Sequence, residues 1–290
     1  MQDDFDSPYL ISTDALAAAL GDPQLRLFDC STRLTPLPGG DMGVDDCLAE
    51  FTEAHIPGAA YLDLQVRFSD RTQPWRFMMP APETLAEAFR ASGIGDGCRV
   101  VLYDGRGMMW ATRFWWMLRA LGFDNAAVLD GGLVKWRAEG RAVESGQQSY
   151  EPAQAFSAAP RPGAFCDQNA VLAFMNEKPG ALLNALTIEQ HAGGGVQYGR
   201  PGRIAGSVCV PARELTNPET GALKPVAELR RMFTDAGVDP ARPVLCYCGG
   251  GIAATLDSFV LTLLGAEQVS VYDASLSEWS KNPDLPMETG

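Results

Sequence analysis

The sequence predicts an α/β protein built from two copies of one parallel-sheet domain, and three observations carry that reading. The first is an internal repeat: Leu85, Phe89 and Gly93 recur as Leu229, Phe233 and Gly237, each 144 residues later, and the same offset carries Tyr103 to Tyr247 and Asp104 to Cys248. After a one-residue slip, Asp130 and Trp136 recur as Asp273 and Trp279, 143 residues on. The second is the alternation of short apolar runs with helical patterns, which implies a parallel sheet covered on both faces. The third is glycine punctuation: Gly122 and Gly265 stop two helices where a left-handed residue is needed.

Each element follows in order. Buried strands are expected at 25–28, 100–103, 126–129, 181–183, 244–247 and 269–272, and helices at 84–91, 111–121, 226–236 and 253–264. His55-Ile-Pro-Gly58 is answered by Arg203-Ile-Ala-Gly206 near the start of the second copy. The division expected is a first domain over 1–144, an extended linker over 145–162 marked by Pro152, Pro160 and Pro162, and a second domain over 163–290. The aromatic run Trp110, Phe114, Trp115 and Trp116 has helical spacing and belongs to the core and the interface between copies.

Composition narrows the function classes. A net charge of −13 sets aside nucleic acid and anionic membrane surfaces as partners, and any anionic ligand must be held by local groups. The opening Met1 to Asp6 is acidic where an export signal is basic, and no apolar run is long enough to span a bilayer, so a cytoplasmic protein is expected. Seven scattered cysteines (30, 47, 98, 166, 209, 246 and 248) read as free thiols. With two histidines, His55 and His191, and no CxxC pair, no metal site is expected.

Ligands of parallel sheets bind beyond the carboxyl ends of the strands, which points to the loops opened by Asp104 and Cys248. In the second copy Cys248-Gly249-Gly250-Gly251-Ile252-Ala253 runs from a strand straight into a helix. Three glycines let the backbone curl around the Cys248 side chain with its amides facing inward, and the helix end adds positive potential. An unperturbed thiol is only about 3% thiolate at pH 7. The helix end supplies about 0.3–2 kcal/mol toward the charged form, and hydrogen bonds from the amides must supply the rest. The bland alternative, a buried core thiol on a plain turn, leaves the triple glycine without a reason. Cys246, two residues back, reads as packing. Asp104 holds the matching place in the first copy, and a carboxylate cannot accept sulfane sulfur, so that copy reads as silent. His191 reads as a loop residue or a wall of the site; a Cys248–His191 hydrolase is disfavoured because the loop needs no base.

These residues resemble the tandem rhodanese family, which includes thiosulfate and 3-mercaptopyruvate sulfurtransferases. The resemblance rests on Ala54-His-Ile-Pro-Gly-Ala59, Leu129-Asp-Gly-Gly132 with Trp136, the loop Cys248–Ala253, and Tyr272-Asp-Ala-Ser-Leu-Ser-Glu-Trp279 with the closing Leu285–Gly290. It implies two rhodanese-like domains, a nucleophile at Cys248 that carries sulfur as a persulfide, and no cofactor. It also implies a small donor (thiosulfate or 3-mercaptopyruvate) with a thiol or cyanide as acceptor, or a protein acceptor. The six-residue loop is the sulfur-handling length of this superfamily; related phosphatases use a longer one ending in arginine.

Several positions depart from the family pattern. Gly249 and Gly250 stand where thiosulfate enzymes often carry basic residues. Gly250 also replaces a serine, and Phe77 a histidine, of mercaptopyruvate enzymes, whose aspartate is matched by Asp63. The anion-gripping arginine aligns with Gln190 and a second with Val196, leaving Arg200 and Arg203 to supply the charge. Asp63, Gln190, Arg200 and Arg203 are therefore the substrate-binding candidates. The alternative function is a persulfide carrier or binding module that receives sulfur from a protein partner, with little turnover of small donors. A scaffold without sulfur chemistry is disfavoured because Cys248 and its glycines remain.

Overall fold

A computed structural model of the chain describes Phe5 and residues 7–36, 42–105, 107–195 and 198–290. Five strands form the first sheet: β1 (Leu10–Ile11), β2 (Leu25–Asp29), β3 (Ala59–Tyr61), β4 (Arg99–Tyr103) and β5 (Ala126–Leu129). Five more form the second: β6 (Phe165–Cys166), β7 (Ala181–Asn184), β8 (Val208–Cys209), β9 (Val244–Tyr247) and β10 (Val269–Tyr272). Both sheets are wholly parallel. The first runs β1-β5-β4-β2-β3 and the second β6-β10-β9-β7-β8, the same order shifted by five strands. The duplication read from the sequence is thus a duplication of topology.

The strands form where the sequence offers continuous apolar runs, as a sheet buried on both faces requires. All four residues of β5 and of β9 are buried. The short strands β1, β3, β6 and β8 give almost no periodic signal, and the reading from sequence omits them. The repeated helix pair, α1 (Pro82–Ala91) and α3 (Val226–Asp235), buries Leu85 with Phe89 and Leu229 with Phe233, one i, i+4 face in each copy. Gly122 and Gly265 take the left-handed conformation that ends the central helices α2 (Met109–Ala120) and α4 (Ala253–Leu263).

Helices α2 and α4 pack against each other and join the two halves. The Trp115 and Phe259 rings meet edge-on at 4.8 Å, and the Thr112 and Thr255 hydroxyls are 3.2 Å apart. Trp110, Phe114, Trp115 and Trp116 are all buried, and one apolar cluster runs through both halves. Segment 145–162 is more than a spacer. The Tyr150 hydroxyl donates to the Gly58 carbonyl and accepts from the Leu27 amide, and Phe156 stacks on Phe89 and Phe123. Two aromatic anchors thus hold it as a strap on the first half. His55 is buried with Nδ1 2.8 Å from the Phe51 carbonyl and its ring stacked on Phe51, which is structural work.

One buried group sits uneasily. Asp257 of α4 is fully buried, and neither carboxyl oxygen has a hydrogen-bond partner among the described residues. Burial pushes its carboxyl well above the ordinary carboxylate range. The folded state then holds this proton longer than the unfolded state does. Stability is complete below the unfolded value and falls as pH rises toward the folded value, by up to about 1.4 kcal/mol per pH unit. Asp257→Asn removes that titration. Urea unfolding is expected to show the variant gaining on the parent between about pH 5 and about pH 8; a difference that is flat with pH contradicts the assignment.

Candidate active site

The loop leaving β9 puts Cys248 at the carboxyl end of the central strand, where its residue is 2% exposed. The turn after β10 fixes its backbone from the side. The Cys248 amide donates to Ser275 Oγ (3.0 Å) and its carbonyl accepts from the Leu276 amide (3.1 Å). The Gly249 carbonyl accepts from the Ser277 amide (2.8 Å) and hydroxyl (2.7 Å). At the other end of the loop the Ile252 carbonyl accepts from the Thr255 amide (2.9 Å) and hydroxyl (2.7 Å), closing the first turn of α4. Between these anchors, the six amides from Gly249 to Ala254 have no acceptor among the described residues.

The first copy shows what such a loop holds. Asp104 ends β4 as Cys248 follows β9, and it is 1% exposed. Its carboxylate accepts from the amides of Met108 (3.1 Å), Trp110 (2.9 Å) and Ala111 (3.0 Å). The 144-residue offset maps those donors to Ile252, Ala254 and Thr255, and the first two belong to the unsatisfied row. An anion sits in the first cradle because the chain supplies one covalently; in the second, the matching Ile252 and Ala254 amides have no acceptor among the described residues, and the Thr255 amide is bonded to the Ile252 carbonyl. Burial pushes the neighbouring Asp29 carboxyl up to about 6, and the Asp104 charge adds to the rise.

A buried ion pair ties the two halves at this loop. Arg113 of α2 is 0% exposed; Nη1 donates to Asp273 Oδ1 (2.6 Å) and to the Gly251 carbonyl (3.1 Å), and Nη2 donates to the Phe77 carbonyl. Its guanidinium also lies over the Phe165 ring at 4.6 Å. Asp273 Oδ2 accepts from the Met79 amide (2.7 Å). Phe77 sits in the left-handed region (φ 63°), strain that the two bonds around it sustain. The first half thereby supplies one wall of the site. A cavity of about 300 Å³ lined by Ser69, Arg71, Trp75 and Phe77 lies at that wall, and another of about 420 Å³ lies between Trp116 and Val244; Cys248 lines neither.

The substrate-binding candidates fare differently from the loop. Arg200 donates to the carbonyls of Ser280, Trp279, Asn282 and Leu285, and Arg203 to Glu288 Oε1 and the carbonyls of His191 and Gly290. Both guanidiniums hold the C-terminal segment, so these contacts already engage the two side chains that the sequence offers as anion ligands. Gln190 turns back to cap its own helix, accepting from the Thr187 amide (3.3 Å) and hydroxyl (3.1 Å). Asp63 closes a turn by accepting from the Gln65 amide (2.8 Å). Val196 lies outside the described residues. His191 meets the Asn184 amide nitrogen at 3.1 Å, and burial, helped by the Arg203 charge, pushes its imidazole down to about 4. Cys246 is fully buried, and burial pushes its thiol well up. Among the described residues no cluster of His, Cys, Asp or Glu could hold a metal ion.

Sequence reasoning missed Arg113, Ser275, Ser277 and Tyr198. Tyr198 lies on the loop: a Cβ added to Gly249 would stand 1.9 Å from its Cζ. Gly251 has φ 74°, and a Cβ there would meet the Asp273 carbonyl oxygen at 2.4 Å. Gly250 is open, with Ser277 Oγ at 3.6 Å as the nearest atom. Thermal unfolding should therefore rank the three alanine variants. Gly250→Ala is expected to stay within about 0.5 kcal/mol of the parent, and Gly251→Ala to lose about 1–3 kcal/mol or more. Gly249→Ala falls between them, with Tyr198 displaced. Equal losses at all three positions contradict this geometry.

Comparison with known proteins agrees with this construction. The Rhodanese-like domain model matches residues 12–139 and 174–282. The 3-mercaptopyruvate sulfurtransferase of Escherichia coli (strain K12) is 33% identical over 288 residues, covering 97% of this chain and 98% of that protein. The thiosulfate sulfurtransferase of Rattus norvegicus is 32% identical over 290 residues, covering 97% and 94%. The crystal structure of SseA from Escherichia coli superposes with a TM-score of 0.81 at 30% identity, covering 94% of this chain and all of that one. The chain belongs to the rhodanese family, with two rhodanese-like domains in tandem.

Proposed function

We propose that the protein is a sulfurtransferase that moves sulfane sulfur from a small donor to a thiophilic acceptor through a persulfide on Cys248. The observation that carries the reading is the row of acceptor-free amides from Gly249 to Ala254, in the place where the first copy holds a carboxylate. Thiosulfate and 3-mercaptopyruvate are the donors, by likeness to the sulfurtransferases of both names.

In the first step the Cys248 thiolate attacks the outer sulfur of the donor. A sulfur–sulfur bond forms, and the bond from that sulfur to the remainder breaks. The electron pair leaves on sulfite, or on the enolate of pyruvate, which then takes a proton. The terminal sulfur of the persulfide keeps a negative charge, which the amides of 249–254 stabilise as they do the starting thiolate. In the second step an acceptor, cyanide or a thiol, attacks that terminal sulfur and returns the Cys248 thiolate, giving ping-pong catalysis. Every electron pair moves between sulfurs and their leaving groups, so the cycle calls for no redox cofactor.

On this reading residues 1–144 form a silent copy, 145–162 the connecting strap and 163–290 the catalytic domain. No described helix is long and apolar enough to cross a membrane. A cytoplasmic site fits the seven cysteines, all of them free thiols.

Intact-protein and peptide mass spectrometry after thiosulfate or 3-mercaptopyruvate treatment is expected to show one added sulfur on Cys248. Cyanide should remove it, and Cys248→Ser should neither gain sulfur nor turn over. Sulfur on another cysteine, or an active Cys248→Ser, overturns the assignment.

A further inference from the structure

We propose that Arg213 binds the anionic end of the sulfur donor, from the 3₁₀ turn that follows β8. This inference rests on Cys248 as the sulfur-accepting residue and names the side chain that draws the donor to it. The need for such a residue is electrostatic. A chain of net charge −13 repels an anion until a local cation intervenes. Arg200 and Arg203 are tied to the C-terminal segment, and Arg113 is fully buried in its ion pair.

Arg213 stands where a cation is wanted. The 3₁₀ turn Ala212–Glu214 begins just beyond the carboxyl end of β8, on the same rim of the sheet as the Cys248 loop. Two hydrogen bonds measure its distance from that loop: the Ala185 amide donates to the Tyr247 carbonyl (2.9 Å), and the Ala212 amide donates to the Ala185 carbonyl (3.0 Å). Two inter-strand steps place the backbones about 10 Å apart, most of which an extended arginine side chain covers. The turn also packs against α4, whose first residues carry the acceptor-free amides.

Arg213 is exposed, and its guanidinium has no hydrogen-bond or ion-pair partner among the described residues. Tyr198 bridges the gap. Its ring rests on Gly249, and burial pushes its phenol up to about 12, so it stays a neutral donor at physiological pH. Cys248 and Arg213 both act on that phenol, the sulfur raising it and the guanidinium lowering it, so the three groups share one field. A donor anion lying against Tyr198 would meet Arg213 at one end and present its outer sulfur to Cys248 at the other. Charge-assisted contacts of this kind are worth about 10- to 100-fold in binding.

The test uses two electrophiles of the same chemistry and different charge, together with donor kinetics. Alkylation of Cys248 by iodoacetate and by iodoacetamide is measured in the parent, Arg213→Ala and Arg213→Lys. The expected result is a fall of about 10-fold or more in the iodoacetate-to-iodoacetamide rate ratio for Arg213→Ala, with the iodoacetamide rate unchanged, and partial recovery in Arg213→Lys. In parallel, KM for thiosulfate should rise about 10-fold or more with kcat within about 3-fold. An unchanged ratio and an unchanged KM, with Cys248 still taking up sulfur, overturn the role of Arg213 and leave the sulfurtransferase reading standing. A parent protein whose Cys248 takes sulfur from no donor fails that reading, while the alkylation ratio still decides the placement of Arg213.

Discussion

Six consecutive backbone amides without an acceptor among the described residues, at the entrance of a helix, are the constraint around which the second domain is arranged. A buried donor left unpaired costs about 1–3 kcal/mol, so a row of them asks for a negative partner. The first domain answers with the Asp104 carboxylate, fixed in place by three amides, two of which match members of that row. The second puts Cys248 there, whose sulfur carries charge as thiolate or persulfide and can hand an atom on. One duplicated cradle thus gives a structural unit in one half and a chemical one in the other.

Holding that row open takes rigid support, and much of it comes from the first half. Arg113 reaches across to Asp273 and the Gly251 carbonyl and grips Phe77 on the way. A buried ion pair adds little net stability, because both charges lose their water. Arg113 Nε has no partner among the described residues, which fits that balance. What the pair supplies is registration: loop, wall and strand end are fixed to one planar group. The first domain is then a structural partner of the second, and Thr112, Trp115 and Phe259 extend the contact along the central helices.

Much of this was legible in the residues. The 144-residue offset revealed the duplication because the same side chains must fill equivalent places, as Leu85 and Leu229, or Phe89 and Phe233, do. The Cys248 loop was legible because three glycines in a strand–helix turn have few other uses. The edge strands β1, β3, β6 and β8 were not, since two or three residues carry no period. The contacts that Arg200 and Arg203 make were not legible, because they bond oxygens of the C-terminal segment 79 to 87 residues away along the chain, which no local pattern announces. Arg113 was hidden in an aromatic helix for the same reason, its charge answered by Asp273 and by backbone in the other half.

The most direct test of the cradle places the first domain's anion in the second. Cys248→Asp and Cys248→Asn differ only in charge, and their relative stability can be followed by denaturant unfolding against pH. If the amides of 249–254 face the side chain, the carboxylate is favoured in the folded state, and its carboxyl titrates below the unfolded value of about 3.9. Cys248→Asp should then be the more stable variant at neutral pH, with an advantage that disappears as pH falls through the folded-state value. A Cys248→Asp protein less stable than Cys248→Asn at neutral pH would show that these amides do not hold an anion, and would contradict the account at its base.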